Sequence, residues 1–343
     1  MLVCSNLAPG SVAAVEWASS VTGPWTNTWA GLEAVTVDTN GLIQVSVPMF
    51  YRVRGIPAPP PGMVLIPAGS FTMGNCMDPG EGYPDELPLH PVYVSAFYMD
   101  RYAVTKALWN EVKGWNGGNG YVYENAGAGK AANHPVVQVN WRDCVKWCNA
   151  RSQKEGLVPC YYNEAGLATV YKSGTGTPYP KWDANGYRLP TEAEWEKAAR
   201  GGVSGHRFPW ADTDTITHSR ASYYAYPSGY SYDVNPSPGY HPSFATGGIP
   251  YTSPVGYFEA NGYGLYDMVG NVCEWCWDWY SYEYYSSSPG TDPRGPTSGS
   301  CRVNRGGSWT YYANFCRAAY RYDYSPDYRY SIIGFRAVRP PGQ

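Results

Sequence analysis

Residues 188–202, RLPTEAEWEKAARGG, contain the clearest local signal in this chain of 343 residues. Pro190 precedes Thr191, and Glu194 follows three residues later, which is the pattern of a capping box at the N-terminus of a helix. Trp195 and two later alanines recur on one face, as the apolar stripe of a packed helix does. The stretch therefore predicts a short helix that begins after Thr191 and ends at the glycines.

Two more helices are predicted upstream of this one. Thr105 has the chemistry of a cap for the helix KALWNEVKGW, and a second helix begins at Asn140. The segments MVLIPAGSFTMG from Met63 and VYVSAFYMDRYAVT from Val92 alternate in the manner of strands. After Gly201 the chain is rich in glycine, proline, serine and tyrosine, which favours loops and short strands. The sequence thus predicts a loop-rich α+β domain.

The chain divides into three regions by composition. Residues 1–55 alternate apolar and polar positions around a hairpin signal at Asn40-Gly41, which predicts a small β module, short enough to be a truncated one. Residues 56–62, IPAPPPG, predict a stiff proline-rich linker. Residues 63–343 form the predicted α+β domain.

Charge excludes several classes of partner. Lys and Arg number 25 against 28 for Asp and Glu, so the formal net charge is −3, and only 15% of the residues are charged. A chain without a basic field cannot gather phosphates, which argues against nucleic acid and anionic membranes. No apolar run approaches the roughly 20 residues of a membrane-spanning helix.

The N-terminal residues leave the compartment open. The stretch MLVCSNLAPG is too short and too uncharged for a signal peptide, and Val3 before Cys4 does not suit a lipoprotein cleavage site. Either the protein is cytoplasmic or an export signal is missing from this sequence. In the second case an extracellular or cell-surface location is favoured.

The nine cysteines are too widely spaced for a dense disulfide framework. Cys273 and Cys276 form a CxxC, and Cys144 with Cys148 could supply a second pair of zinc ligands. Buried thiols among tryptophans are the alternative, and the more common one. The five histidines form no cluster by spacing.

Several segments, in order along residues 63–340, resemble the sulfatase-modifying-factor family, also called the formylglycine-generating-enzyme family. The resemblance implies a variant of the C-type lectin fold that is rich in loops and often binds calcium. The segments are MVLIPAGSFTMG, YAVTKALWNEV, HPVVQVNWRDCVKWCNARS, YRLPTEAEWEKAARGG, NGYGLYDMVGNVCEWCWDWY, RVNRGGSW and GFRAVR.

The family's enzymes oxidise a cysteine of a client sulfatase with a copper ion held by two of their own cysteines, five residues apart. In the matching segment here, GGSWTYYANFC, Cys316 takes the second position but Tyr311 takes the first. A phenol is a poor ligand for soft Cu(I), so we expect no copper and no enzyme of this type. The alternatives are a copper oxidase that uses Cys316 with another thiol, or a catalytically silent partner subunit.

The resemblance also implies a structural calcium site. Asn271 and Glu274 in VGNVCEW match the family's pattern for one site, and hard oxygen ligands of this kind suit calcium. The alternative is that both side chains bond to the backbone of the turn. A second family site has asparagine where this chain has Ser222.

Residues 302–339 contain two interleaved classes of position. One class, the scaffold positions, keeps the family pattern: Arg305, Gly306, Gly307, Ser308, Trp309, Ala313, Cys316, Arg317, Ala318, Ala319, Arg321, Pro326, Asp327, Arg329, Ile333, Gly334, Phe335 and Arg336. The other class, the fourteen gap positions, fills the spaces between them: Thr310, Tyr311, Tyr312, Asn314, Phe315, Tyr320, Tyr322, Asp323, Tyr324, Ser325, Tyr328, Tyr330, Ser331 and Ile332.

All fourteen gap residues are ones that the asparagine codon AAC encodes or gives when its adenines change. This interleaving resembles the variable protein of a diversity-generating retroelement, in which adenine-directed mutagenesis rewrites the end of a gene. Such proteins use the C-type lectin fold, including its formylglycine-generating-enzyme branch. The resemblance implies a variable region over about residues 302–339 and a non-enzymatic role in binding.

The composition of the segment agrees with a binding role. Seven tyrosines lie among residues 310–332, mixed with Ser, Asn and Asp, as in an antibody paratope. We expect Arg317, Arg321 and Arg336 to hold the loops by bonding to backbone carbonyls or to Asp327. The alternative is that the tyrosines pack on the domain, like the tyrosine-rich runs that begin at residues 223 and 280.

The predicted function is therefore that of a diversified ligand-binding protein with its gap positions as the binding residues. The expected partner is a selected ligand such as a protein or a molecule on a cell or phage surface. A diversified site is selected for its ligand, so the sequence does not identify the ligand.

Overall fold

The computed structural model describes residues 58–77, 80–115 and 118–341 in full and the backbone of four earlier strands. The chain divides into two compact units, Met1–Pro59 with Pro341–Gln343, and Pro60–Pro340. The division after Pro59 falls inside the predicted linker. Within the described parts, no helix is long and apolar enough to cross a membrane.

The first unit consists of antiparallel β pairs. Strand β1 (Val12–Ala18) pairs with β4 (Phe50–Ile56), and β2 (Val35–Val37) pairs with β3 (Ile43–Val45). The predicted Asn40-Gly41 turn lies between β2 and β3, outside the described residues. The pairing of these two strands agrees with the predicted hairpin.

In its described residues, the second unit contains three α-helices and eleven short strands. The helices are α1 (Lys106–Trp115), α2 (Trp141–Lys154) and α3 (Glu192–Ala199). The strands are β5 (Met63–Ile66), β6 (Gly69–Met73), β7 (His90–Val94), β8 (Phe97–Asp100), β9 (Tyr161–Tyr162), β10 (Tyr179–Pro180), β11 (Cys273–Trp279), β12 (Arg302–Arg305), β13 (Tyr322–Tyr324), β14 (Ile333–Gly334) and β15 (Val338–Arg339).

Two sheets organise the domain. One has the strand order β13-β12-β11-β14, with β14 parallel to β11 and the other pairs antiparallel, and the second has the order β15-β8-β5. Strands β6 and β7 form a separate pair, as do β9 and β10. Because β12, β13 and β14 all come from residues 302–334, the segment with the gap positions is part of the first sheet and its loops.

The predicted helix starts are confirmed. The Thr191 hydroxyl accepts the backbone N–H of Glu194 at 3.2 Å, and the Glu194 carboxylate accepts the N–H of Thr191 at 2.8 Å, which completes the capping box. The Asn140 side chain caps α2 by accepting the N–H of Asp143 at 2.8 Å. Thr105 caps α1 through Leu108 at 3.1 Å.

Helix α3 differs from its prediction in one respect. Instead of one apolar face, all eight of its residues are buried. Its charged residues are buried because each has a partner: the ammonium of Lys197 donates to the carbonyls of Pro67 and Gly69 at 2.6 and 2.8 Å, and Glu196 pairs with Arg200. This helix therefore lies at the centre of the domain rather than on its surface.

Candidate binding face

The gap positions lie on one edge of the first sheet and in the segments that flank it. After β12 the chain turns through the short 3-10 helix Ala313–Cys316, returns as the edge strand β13, and loops back to β14 at the opposite edge of the same sheet. The register pairs Asn304 with Tyr322 and Arg302 with Tyr324. The edge strand and the two flanking loops together carry all fourteen gap positions, which we call the tyrosine face.

Burial separates the two classes of position almost completely. Of the fourteen gap residues, only Asn314 and Tyr320 are buried. Of the eighteen scaffold residues, only Asp327 and Arg329 are exposed. The scaffold positions therefore form the interior of the segment, and the gap positions form its surface.

The rings of the tyrosine face contact one another. Tyr324 lies at the centre of one group, with ring centroids 5.0 Å from Tyr322, 5.6 Å from Tyr328 and 5.5 Å from Tyr330. Its hydroxyl is 2.8 Å from that of Tyr311. Tyr328 and Tyr330 keep 47% and 45% of their surface exposed, so these rings are available to a partner despite their mutual packing.

Buried arginines hold the loops beneath the face, as predicted for Arg317 and Arg321. The two terminal nitrogens of the Arg317 guanidinium donate to the two carboxylate oxygens of Glu86, each at 2.7 Å. Its Nε donates to the carbonyl of Asn314 at 2.9 Å. Arg321 pairs in the same way with Glu192 at 2.7 and 2.9 Å. Such planar fork-to-carboxylate pairs fix orientation as well as distance.

The prediction that Asp327 is the acidic partner of these arginines was wrong. Asp327 is exposed and pairs with Arg142 at the start of α2, whereas the buried arginines use glutamates from earlier parts of the chain. A buried guanidinium needs a desolvated partner, and an exposed aspartate on a loop cannot supply one. Arg305 adds a third support, since it donates to the carbonyls of residues 318–320.

Glu274 and Asn271 do not fit the predicted calcium site. Both oxygens of Glu274 accept from the guanidinium of Arg336, at 2.7 and 2.8 Å, and one also accepts the indole N–H of Trp195 at 2.8 Å. The Asn271 amide oxygen accepts the backbone N–H of Ser253 at 3.1 Å. These donors occupy the oxygens that a cation would need. The alternative prediction, bonding to the backbone of their own turn, holds for neither residue: Asn271 bonds to the backbone of Ser253, and Glu274 bonds to side chains.

No group of three or more His, Cys, Asp and Glu side chains in the described residues could hold a metal ion. Cys273 and Cys276 lie on β11, Cys144 and Cys148 lie on α2, and all four are buried free thiols. Burial raises the pKa of each of them. The alternative of buried structural thiols is therefore the one that these residues fit.

The position of the family's copper pair is occupied by a buried thiol and a phenol. Burial raises the pKa of Cys316 to about 12, so the thiol is protonated at neutral pH. Burial, followed by the neighbouring Cys273 and the hydrogen bond to Tyr324, raises the pKa of the Tyr311 phenol far above its ordinary value. A phenol and a single thiol do not offer the pair of thiolates that Cu(I) selects.

The sequence did not show whether the two other tyrosine-rich runs lie in the core or on the surface, and the structure gives their positions. The run from residue 280 packs on the core: Tyr285 is buried, and the Tyr280 hydroxyl donates to Asp85 at 2.8 Å. The run from residue 223 borders the face, where Tyr226 lies 5.4 Å from Tyr312. Sequence reasoning missed this neighbour because the contact joins loops that are far apart along the chain.

Two cavities lie elsewhere in the domain. One, of about 310 Å³, is lined by residues that include Trp210, Arg220 and Asp267, and the other, of about 200 Å³, is lined by residues that include Trp182 and Arg294. Neither cavity is lined by a residue of the tyrosine face. The face is therefore not the wall of either of these cavities.

Sequence comparison identifies relatives over most of the chain. Residues 52–341 match the family described as "Sulfatase-modifying factor enzyme 1-like domain". The formylglycine-generating enzyme of Streptomyces coelicolor is 36% identical over 297 residues, which cover 81% of this chain and 88% of that protein. The chaperone protein LppX of Paenibacillus barcinonensis is 31% identical over 284 residues, or 81% of this chain and 89% of its own.

Comparison with solved structures identifies proteins of similar fold. Treponema denticola variable protein 1 has a TM-score of 0.62 at 31% identity, covering 87% of this chain and 98% of its own. PvdO from Pseudomonas aeruginosa has a TM-score of 0.57 at 28% identity, covering 81% and 94%. The predicted α+β, C-type lectin-like fold of the formylglycine-generating-enzyme type is thereby confirmed. The chain belongs to the sulfatase-modifying-factor, or formylglycine-generating-enzyme, family.

Proposed function

We propose that this protein is a non-enzymatic, diversified binding protein that recognises its ligand through the tyrosine face. The observation that carries the proposal is the match between two independent divisions of residues 305–336. One division, made on the family pattern and the codon table, separates scaffold from gap positions. The other, made on burial, separates interior from surface, and it assigns all but four of the residues in the same way.

This match has a physical meaning. Substitutions at exposed positions typically change stability by no more than about 0.5 kcal/mol, whereas changes in a packed interior cost several times that. A mutagenic process that altered only the gap positions would therefore change the surface of the domain and leave its fold intact. The likeness to Treponema denticola variable protein 1, which its name describes as a variable protein, supports the same proposal.

The composition of the face supports binding to a macromolecule. Tyrosine provides a large contact area for little loss of rotamer entropy, and the Ser, Thr, Asn and Asp residues among the rings provide hydrogen bonds. The proposed ligand is accordingly a protein or a molecule on a cell or phage surface.

A second candidate function is a copper oxidase of the formylglycine-generating type. One observation favours it: Cys273 is close enough to Cys316 for the Cys316 thiol to raise the pKa of the Cys273 thiol, so a second thiol stands near the family position. The phenol of Tyr311 at the first position of the copper pair weighs against it.

Sequencing of this gene in many isolates of one source tests the binding proposal. The expected result is variation at the fourteen gap codons with constant codons for Arg317 and Gly334, beside a near-identical template that carries AAC at those codons and a reverse transcriptase gene. Invariant gap codons would support a fixed partner subunit instead, and variation spread evenly over the domain would contradict both ideas.

Copper titration tests the enzyme candidate. We expect the chain to bind Cu(I) no more tightly than its Cys316→Ser variant and to leave a sulfatase-motif peptide unchanged. The formylglycine-generating enzyme of Streptomyces coelicolor is the positive control. Product formation that disappears in both Cys316→Ser and Cys273→Ser would overturn the non-enzymatic proposal.

A further inference from the structure

We propose that five tyrosines outside the variable segment, Tyr83, Tyr224, Tyr226, Tyr230 and Tyr240, form a constant rim of the binding surface, and that the partner is a folded protein which presents basic side chains to it. This inference rests on the proposed function and extends it to residues that the mutagenic process would not touch.

On one side of the face the rim is organised around Tyr312. Its ring centroid lies 5.5 Å from that of Tyr224, 5.4 Å from Tyr226 and 6.3 Å from Tyr230. The backbone N–H of Tyr224 donates to the carbonyl of Tyr311 at 2.9 Å. A gap residue and three fixed tyrosines thus form one aromatic cluster, which a partner on Tyr312 would also contact.

Next to this cluster the rim continues with Tyr83. Its ring centroid lies 6.4 Å from Phe315 and 5.7 Å from Tyr320, and its hydroxyl accepts from the Asn314 amide at 3.3 Å. Tyr83 immediately precedes the 3-10 helix Pro84–Glu86, whose last residue pairs with Arg317. The same ion pair that holds the variable loop therefore also holds this rim residue against it.

The rim tyrosines are not core residues. Tyr83, Tyr226 and Tyr240 keep 41%, 43% and 36% of their surface exposed, and Tyr224 and Tyr230 are half-buried. Tyr223, which precedes Tyr224 in the chain, is by contrast fully buried. Tyr240 continues the cluster outward, with its ring 4.7 Å from Tyr224. Large exposed aromatic residues grouped in this way mark an interaction surface.

Charge indicates the chemistry of the partner. Inside the domain, aromatic rings face the protein's own cations, as in Arg151 over Tyr187 at 3.9 Å and Arg207 over Tyr232 at 4.2 Å. In the described parts of the chain, no Lys or Arg lies over a ring of the rim or of the tyrosine face. The negative faces of these rings complement Lys and Arg side chains of a partner.

The experiment uses the full chain, displayed as a library in which only the fourteen gap positions vary. The library is selected in parallel against hen lysozyme, which is basic, against succinylated lysozyme, in which the lysine charges are reversed, and against an immobilised dextran. Recovery of lysozyme binders tests the proposed function. Their preference for native over succinylated lysozyme tests the basic partner, and binders to dextran alone would overturn the choice of a protein ligand.

Recovered binders then test the rim. We expect Tyr83→Ala, Tyr226→Ala or Tyr240→Ala to weaken lysozyme binding by about tenfold or more in most clones, as loss of an aromatic interface anchor does. Tyr179→Ala and Tyr282→Ala, at tyrosines equally exposed but away from the face, are the matched controls and should change affinity less than about twofold. Melting temperatures of all variants exclude unfolding as the cause.

The two proposals fail in distinguishable ways. A library that yields no binders to any target would contradict the proposed function. Binders that keep their affinity when the rim tyrosines are replaced would leave the proposed function standing and overturn the rim.

Discussion

Arg321 and its neighbour Tyr322 show that adjacent residues of the variable segment have different roles, one in the interior and one on the surface. Its side chain is buried and pairs with Glu192, while Tyr322, the next residue, is exposed. Removing the guanidinium leaves a buried carboxylate without its partner, a change that costs about 3–5 kcal/mol in proteins. We therefore expect Arg321→Ala to lower the free energy of unfolding by that amount, as measured by urea denaturation.

The matched control for that prediction is Tyr328→Ser, which should change the free energy of unfolding by less than about 0.5 kcal/mol because Tyr328 is exposed. Comparable losses in the two variants would mean that scaffold and gap positions are not energetically different.

Asp267 gives a prediction about pH. It is buried, and burial raises the pKa of its carboxyl from 3.8 to about 6. The folded state then binds a proton more tightly than the unfolded state, so the contribution of Asp267 to stability is largest below pH 4 and is lost as pH rises to about 6. The full loss corresponds to roughly 3 kcal/mol.

The Asp267→Asn variant removes this titration and keeps an oxygen that can accept the N–H of Gly256, as the carboxylate does at 2.7 Å. Urea denaturation from pH 4 to pH 8 should show the variant gaining stability relative to the parent up to about pH 6, with a constant difference above. A difference that does not change with pH would refute the raised pKa.

Among the elements, α3 was the most predictable from sequence because its signals are local. The capping box consists of two residues three apart, and the geometry of the first turn brings them together regardless of the rest of the fold. Strands β13 and β14 were not predictable. They have three and two residues, and they exist through pairing with β12 and β11, which the sequence near residues 322 and 333 does not encode.

The cap of α3 should therefore contribute to stability in a measurable way. Thr191→Ala removes the hydroxyl that accepts the N–H of Glu194, and we expect a loss of about 1 kcal/mol in urea denaturation. Thr191→Ser keeps the oxygen and should lose clearly less. An equal loss in both variants would assign the effect to the missing methyl group and not to the cap.

At the scale of the whole molecule, the division after Pro59 predicts that the second unit folds alone. A fragment of residues 60–340 should unfold cooperatively and at the melting temperature of this unit in the full chain, since a compact unit has its own core. A fragment that begins at residue 67 lacks β5 and its pairing with β8, and it should melt at a lower temperature. Aggregation of the longer fragment would show that the first unit is needed for folding.

Only part of the candidate site could be predicted from the sequence. The gap positions were found because they all lie within one short segment of the sequence, residues 310–332. Tyr83 and Tyr226, and the glutamates that hold the arginines, were not, because they meet the segment through contacts over long stretches of chain, 231 residues for Glu86 and Arg317. Such contacts depend on the fold and leave no pattern in the local sequence.

The placement of the buried ion pairs has a consequence for the genetic code. Arginine has four codons of the form CGN, three of which contain no adenine, whereas both glutamate codons contain at least one. In every buried pair beneath the face the arginine lies after residue 302 and the glutamate before it, as in Arg305 with Glu196 and Arg336 with Glu274. Adenine-directed mutagenesis would alter a glutamate codon. The glutamate of each pair, however, lies in the part of the gene that is copied faithfully. We expect CGN codons at these arginines.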